Sequence, residues 1–141
     1  MSRSKVYISW RQIDECLQLT IQDIPDKHLT PPTTIYGVLR GGVIPASLIH
    51  RAYPNSTLHT LHPAQLVTSQ PELGSDVWII DDVYDSGATL NELHEAYPNC
   101  TYLTLWSKHG KTPEWVHYTF WSDPNTWLVF PWERFDESRT A

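Results

Sequence analysis

Residues 77–89 read VWIIDDVYDSGAT and hold the most informative pattern in the chain. The apolar run at 77–80 does not alternate with polar residues, which is typical of a strand buried on both faces of a parallel sheet. Asp81 and Asp82 follow this run, and helical spacing begins at Leu90 after a turn of small residues. The stretch therefore predicts a strand, a turn and a helix, with two carboxylates at the carboxyl end of the strand.

The turn of this unit has the residues that suit a phosphate. Ser86, Gly87 and Thr89 lie where the strand passes into a helix N-terminus, whose free N–H groups and positive dipole end favour an anion. Asp81 and Asp82 are suited to ribose hydroxyls or to a hard cation. The combination predicts a site for a phosphorylated ribose. The simpler alternative is a structural corner with a solvated pair of aspartates.

The same thirteen residues resemble a known motif. Four apolar residues followed by Asp-Asp-x-x-Asp-Ser-Gly-x-Thr resemble the 5-phosphoribosyl 1-pyrophosphate (PRPP) motif of type I phosphoribosyltransferases. The resemblance implies that Asp81 and Asp82 bind the ribose hydroxyls and, directly or through water, Mg²⁺. It assigns the 5′-phosphate of PRPP to a contiguous set: Asp85, Ser86, Gly87, Ala88 and Thr89. Asp85 would also lie near N7 of a purine, where a carboxylate can act as general base.

Composition narrows the class of protein. The 141 residues, 40% hydrophobic and 18% charged, predict one globular domain spanning residues 1–141. A net charge of −6 argues against a nucleic-acid surface, and no apolar run is long enough to span a membrane. Cys16 and Cys100 form neither a zinc pattern nor a disulfide framework. We expect a cytoplasmic protein without nucleic-acid or membrane partners.

Periodicity predicts the remaining elements. Ser9 and Gln12 have the spacing of a capping box, and the apolar positions after them predict a helix ending near Ile24. Further strands are predicted at residues 33–39, 56–61, 101–106 and 116–121. We therefore expect an α/β domain with a mostly parallel central sheet, flanking helices, a small hood and ligands at the carboxyl ends of the strands.

A second strand–turn–helix unit contains Arg40-Gly41-Gly42. Its glycines permit close backbone approach and its arginine adds a fixed cation, and together they suit a pyrophosphate. The segment resembles the pyrophosphate loop of the same family, which assigns Arg40 and Gly41 to the pyrophosphate. Residues 62–76 predict a long loop, which in that family folds over the active site as a lid. Here the loop contains neither Lys nor Arg.

The C-terminal part of the chain narrows the resemblance. Lys108 follows a predicted strand, and Asn-Thr-Trp-Leu at 125–128 followed by Pro-Trp-Glu at 131–133 resembles the xanthine–guanine branch of the purine phosphoribosyltransferases. The resemblance implies that Lys108 donates to a 6-oxo group, that Trp127 stacks on the base, and that Leu128 offers its carbonyl. These last two belong to a predicted hood segment at about 123–135. Glu133 is a further metal candidate or a surface residue. In some relatives a carboxylate follows the position that matches Leu128, whereas here that residue is Val129.

These features predict a Mg²⁺-dependent purine phosphoribosyltransferase of nucleotide salvage. It would transfer 5-phosphoribosyl from PRPP to xanthine, guanine or hypoxanthine, releasing pyrophosphate, and would form a homo-oligomer, either a dimer or a tetramer. The alternative is a non-catalytic PRPP- or nucleotide-binding regulator on the same fold, which a lid without basic residues favours. A receiver-type phosphotransfer protein would need an acceptor Asp at another strand end. Arg40, His62 and Lys108 lie at or follow those ends instead.

Overall fold

A five-stranded parallel sheet forms the centre of the computed structural model, which describes residues 4–62, 73–108 and 110–133. The strand order is β3-β2-β4-β5-β6. The bounds of these strands are β2 Thr34–Val38, β3 Thr57–Leu61, β4 Val77–Tyr84, β5 Thr101–Lys108 and β6 Val116–Ser122. All four pairings are parallel, so the carboxyl ends of the strands meet at one edge. The predicted α/β class is confirmed.

Strand β4 lies in the middle of the sheet and is buried on both faces, as its uninterrupted apolar run predicts. It continues beyond the predicted end, through both aspartates to Tyr84. Successive residues of a strand point to opposite faces, so Asp81 and Asp82 are directed to different sides of the sheet. The two carboxylates therefore enter different environments although they are neighbours in sequence.

Three α-helices in the described ranges cover the sheet: α1 Trp10–Asp23, α2 Val43–His50 and α3 Ala88–Ala96. On one face, Ile80 of β4 packs in a cluster with Ala46 and Ile49 of α2. On the other face, Ile79 packs with Leu90 and Leu93 of α3. Helices on both faces explain why the central strands are apolar without alternation.

Helix α1 begins where the capping box predicts. The Ser9 side chain accepts a hydrogen bond from the Gln12 N–H at 3.1 Å, and the Gln12 side chain accepts one from the Ser9 N–H at 2.9 Å. Its buried face includes Cys16, whose thiol pKa is raised to about 12 by burial. Cys100 is also buried and its pKa is raised to about 11, chiefly by burial. Both cysteines are packing residues with little thiolate character.

The two ends of the described chain meet in a separate ribbon. Strand β1, Ser4–Tyr7, pairs in parallel with β7, Thr126–Val129, and a 3₁₀ turn at Pro131–Glu133 follows. One side of the ribbon is fixed because Leu128 packs with Ile8 and Leu105 in a buried cluster. This ribbon forms the predicted hood as far as residue 133.

The predicted lid at residues 62–76 falls mainly outside the described part of the chain, since residues 63–72 are not described. His62 is exposed, and residues 73–76 lead into β4. Among the described residues, no helix has the length and apolar character needed to cross a membrane.

Candidate active site

The turn between β4 and α3 forms the floor of an open cleft with about 310 Å³ of empty space. Gly87 has a φ of 80°, a left-handed conformation that favours glycine, and it precedes the first turn of α3. The Ser86 hydroxyl accepts a hydrogen bond from the Ala88 N–H at 3.3 Å. The lining residues are Asp81, Val83, Tyr84, Asp85, Ser86, Gly87, Ala88, Thr89 and Leu90. The structure thus gathers the predicted phosphate-binding residues and Asp81 around one cleft.

The shape of this turn is fixed from behind by Tyr84. Its hydroxyl donates to the Asn91 side-chain oxygen at 2.9 Å, and the Asn91 N–H donates to the Gly87 carbonyl at 2.8 Å. A Cβ on Gly87 would overlap the Tyr84 hydroxyl. Glycine is therefore required here both for its backbone conformation and for the packing of the tyrosine beneath it.

Asp82 occupies a different place from Asp81. Its side chain is 7% exposed, and its Oδ1 accepts the Val83 N–H at 2.8 Å. The carboxylate lies directly against Gly41, where an added Cβ would come within 2.7 Å of Cγ and 2.9 Å of Oδ1. Asp82 is thus a contact between the end of β4 and the glycine loop, whereas Asp81 lines the cleft.

The Arg40–Gly42 loop is packed on the carboxyl end of β4 by its backbone. A Cβ on Gly42 would lie 2.8 Å from the Val38 nitrogen and 2.9 Å from Asp81 Cα, and would overlap the Ile80 carbonyl. The peptide bond between Leu39 and Arg40 is cis. Arg40 is exposed at this edge. The two strand–turn–helix units of the sequence therefore meet at one point of the sheet.

Burial changes the proton affinity of both aspartates. The pKa of Asp81 is raised to about 6, mainly because its carboxylate is withdrawn from water; hydrogen bonds with Asp82 oppose the rise, and the negative charge of Glu133 adds a smaller increase. The pKa of Asp82 is raised well above its ordinary value, first by burial and then by the charge of Asp81. The site thus disfavours two negative charges, and a cation or hydroxyl donors would favour them.

Lys108 ends β5 as a buried side chain rather than a solvated one, since it is 1% exposed. Its Nζ donates to the carbonyl of Thr126, the first residue of β7. This contact fixes the start of the hood ribbon to the carboxyl edge of the sheet. It brings Lys108 together with Trp127 and Leu128, the three residues predicted for the base.

Trp127 and Leu128 point to opposite sides of β7. The Leu128 side chain is buried in the cluster below the hood. The Trp127 side chain is 45% exposed, and the Lys5 ammonium lies 4.6 Å from its ring centroid. A half-exposed indole at the carboxyl edge of a parallel sheet is able to stack on a planar ligand.

Glu133 turns back toward the sheet. Its Oε1 accepts the Phe130 N–H at 3.0 Å, and its charge acts on Asp81. Val129, by contrast, has a buried side chain, and its carbonyl accepts the Ile8 N–H at 2.8 Å. Of these two positions, Glu133 is therefore the one whose charge acts on Asp81. Within the described ranges, no three His, Cys, Asp or Glu residues converge on a potential metal position.

Two contributors to the site were missed from the sequence. Gly42 lies as close to the backbone of β2 and β4 as Gly41 lies to Asp82, although only Gly41 was assigned a role. The second glycine of the Arg-Gly-Gly pattern is the signal that points to it. Lys5 contacts Trp127 through the pairing of β1 with β7, in which the two residues are register partners. No local pattern shows that the two ends of a chain pair as parallel strands.

Comparisons with known proteins agree with this geometry. No protein-family model matches the chain. The xanthine-guanine phosphoribosyltransferase of Cereibacter sphaeroides is 29% identical over 113 residues, covering 70% of this chain and 68% of the relative. The xanthine-guanine phosphoribosyltransferase of Gluconobacter oxydans is 26% identical over 140 residues, covering 89% of this chain and 83% of the relative. The crystal structure of a purine phosphoribosyltransferase from Pyrococcus horikoshii matches with a TM-score of 0.70 and 28% identity, covering 94% of this chain and 95% of that one.

The contact between Gly41 and Asp82 leads to a first prediction. Gly41→Ala should lower the free energy of unfolding by about 1–3 kcal/mol, because the new methyl group must displace a buried, hydrogen-bonded carboxylate. Urea denaturation measures this. Gly74→Ala is the matched control, because its Cβ would meet only the Asp76 carboxylate at 3.3 Å, and it should change stability by no more than about 0.5 kcal/mol. Equal effects of the two substitutions would contradict the tight packing at Gly41.

The raised pKa of Asp81 predicts how stability depends on pH. Because the folded pKa of about 6 exceeds the ordinary value of 3.8, the native state binds more protons between these values, and stability falls as pH rises through them. Asp81→Asn removes this loss, so it should stabilise the protein at pH 7.5 by at most about 3 kcal/mol. The gain should vanish near pH 4. Urea midpoints at both pH values test this, and an equal gain at both would refute it.

Proposed function

Since the chain has the type I phosphoribosyltransferase fold, we propose that it transfers the 5-phosphoribosyl group of PRPP to a 6-oxopurine and releases pyrophosphate. The substrates would be xanthine, guanine or hypoxanthine, as in nucleotide salvage. One observation carries the proposal: a phosphate-type cleft at the β4–α3 turn and an aromatic hood fixed by Lys108 lie at the same edge of one sheet. A two-substrate site needs both halves there.

The cleft would hold the ribose-phosphate half of PRPP. Ser86, Gly87, Ala88 and Thr89 line it at the N-terminal end of α3, where N–H groups and hydroxyls can donate to the 5′-phosphate. Asp81, on the same wall, would accept hydrogen bonds from the ribose hydroxyls. These donors, which replace water around Asp81, would favour its charged form.

The glycine loop would hold the pyrophosphate. Gly41 and Gly42 permit a ligand to approach the backbone at the carboxyl end of β4, and Arg40 is exposed beside them. A guanidinium there can pair with phosphate oxygens. Asp82 would keep the loop and the β4 end in register, so that the leaving group and the ribose are held at a fixed separation.

The hood would bind the base. Trp127 offers a half-exposed ring for stacking, and Lys108, whose Nζ reaches the residue before Trp127, would donate to the 6-oxo oxygen. The backbone carbonyl of Leu128 would accept from the group at position 2 of the purine. Its side chain is packed in the core and would only fix the strand.

In the reaction, a ring nitrogen of the purine forms a bond to C1 of the ribose while the bond from C1 to the pyrophosphate oxygen breaks. The pyrophosphate leaves with the bonding electrons, and positive charge develops on the ribose. The base must lose a proton, which Asp85 at the wall of the cleft would accept. The main contributions of the protein are then positioning and electrostatics.

Mg²⁺ is part of the proposal because the acidic groups fit it. Mg²⁺ binds through one or two carboxylates together with substrate phosphates, and it retains water. Asp81 at the cleft wall would hold the ion, and Asp82, which is directed to the glycine loop, would act on it through water. Glu133, whose charge acts on Asp81, is the further candidate. When bound, the ion would neutralise charge on the pyrophosphate. Burial raises the pKa of both aspartates, and a bound cation would lower it again by favouring their charged forms.

We also propose that the protein forms a homo-oligomer, a dimer or a tetramer. Large side chains are exposed in the hood ribbon and on β6, with Tyr7 at 52% and Trp121 at 60%. Exposed aromatic side chains are enriched where protein surfaces meet.

The direct test is a base panel. The protein is incubated with PRPP, Mg²⁺ and each of xanthine, guanine, hypoxanthine and adenine, and nucleotide and pyrophosphate are measured. We expect product from the 6-oxopurines, whose oxygen Lys108 can contact, and little from adenine, whose amino group is a donor. Tight PRPP binding without turnover of any base would favour a PRPP-binding regulator instead.

The role of Asp85 has its own test. Asp85→Asn should lower kcat by about 10²–10⁴-fold, because an amide cannot accept the proton. PRPP affinity, measured by calorimetry, should change far less, because the turn and its backbone donors remain. Asp26→Asn, at an exposed position after α1, is the control with the same change of charge. A kcat close to that of the wild type in Asp85→Asn would exclude it as the general base.

A further inference from the structure

Lys5 and Trp127 form a contact that joins the two ends of the chain. They are register partners in the parallel pairing of β1 with β7, and the Lys5 Nζ lies 4.6 Å from the centroid of the indole ring. Within the part of the chain that the structure describes, no aromatic ring packs on Trp127. One face of a half-exposed indole therefore carries a cation, so a base that stacks on Trp127 would use the opposite face.

We propose that Lys5 is a positioning residue for the base: it holds the Trp127 ring from one side, so that the purine stacks on the opposite side. The inference rests on the proposed function, because it requires Trp127 to be the stacking residue. It adds a residue from the N-terminal strand to a base site otherwise formed by β5 and β7.

Lys5 restrains the orientation of the Trp127 ring. A tryptophan side chain on a two-stranded ribbon can change rotamer, and a base binds more weakly when its platform has to be ordered first. The Thr126 carbonyl is held by Lys108, which fixes the backbone just before Trp127. That contact does not restrain the Trp127 ring itself. The ammonium of Lys5 does, because a cation within about 6 Å of an indole centroid is attracted to the ring face.

The charge of Lys5 also acts on a base that is stacked on the ring. A base stacked on the opposite face would lie roughly 8 Å from the ammonium, the 4.6 Å contact plus a carbon contact distance of about 3.5 Å. The base becomes more negative as it gives up its proton during the reaction. A positive charge on the axis of the stack attracts that charge, whereas an uncharged side chain of similar length does not. Lys5 thus favours the deprotonating base as well as the orientation of the ring.

The substitution that separates these effects from simple packing is Lys5→Met. It keeps a long apolar stem over the ring and removes the charge, whereas Lys5→Arg keeps a cation that also stacks on indole. We expect Lys5→Met to raise the KM for the base about two- to fivefold at saturating PRPP, a range set by the strength of exposed cation–π contacts. The KM for PRPP should not change, and Lys5→Arg should behave as the wild type.

Lys27→Met is the matched control. Lys27 is also an exposed lysine, but it lies after α1 and its Nζ donates to the Tyr118 carbonyl at 3.4 Å instead of facing a ring. Lys27→Met removes one positive charge, as Lys5→Met does, and should leave the KM for the base unchanged. Thermal unfolding of each variant shows whether a change in KM accompanies a loss of folded structure. If Lys27→Met raised the KM for the base as much as Lys5→Met does, the effect would be a general one of charge, and the inference would be overturned.

A double-mutant cycle with Trp127→Leu decides whether Lys5 acts through the ring. Affinity for the nucleoside monophosphate product, measured by calorimetry, provides a readout independent of turnover. Trp127→Leu should weaken binding of the product, and adding Lys5→Met to that variant should weaken this binding no further. A full additional effect in the double variant would overturn the positioning role. Unchanged binding in Lys5→Met with weakened binding in Trp127→Leu would overturn this inference alone, whereas unchanged binding in Trp127→Leu would overturn the stacking role itself.

Discussion

The close approach of the Gly41–Gly42 backbone to the carboxyl end of β4 is the constraint on which the rest of the site depends. Gly42 lies against backbone atoms of β2 and β4, and Gly41 lies against the carboxylate of Asp82. Any side chain at either position would separate the two turns. With glycine at both, the turn that carries Arg40 and the cleft at the β4–α3 turn lie close enough together for one ligand to contact both, as we propose for PRPP.

The same approach explains why adjacent aspartates have different tasks. Asp82 is directed to the glycine loop and buried, and Asp81 is directed to the cleft. Both have raised pKa values because burial disfavours charge. A protein selected for stability alone would replace such a pair by apolar residues. Their presence in the central strand is a cost in stability that ligand hydroxyls or a cation would offset, which is typical of functional sites.

Sequence reasoning was most successful where the chemistry is contiguous. The run at 77–80, the capping box at Ser9 and the glycine turns each depend on neighbouring residues, and their structures agree with prediction. Strand β4 continues past the two aspartates to Tyr84, two residues further than the sequence predicts. The local sequence does not show this, because the carboxylate of Asp82 is covered by the glycine loop, which comes from a distant part of the chain. The burial of Lys108 also could not be predicted, because it depends on the Thr126 carbonyl arriving from the hood. Mg²⁺, the oligomer and the cytoplasmic location stay predictions.

The two halves of the site consequently differ in origin. The proposed ribose-phosphate half is one turn whose conformation is set within residues 77–91, where Gly87, Tyr84 and Asn91 support one another. The proposed base half depends on the pairing of β1 with β7 and on the contact of Lys108 with the start of β7. A local turn tolerates little change, because each residue has a direct contact with the next. A hood assembled from distant segments can change its side chains while its backbone pairing persists, so base preference can diverge without disturbing the phosphate cleft.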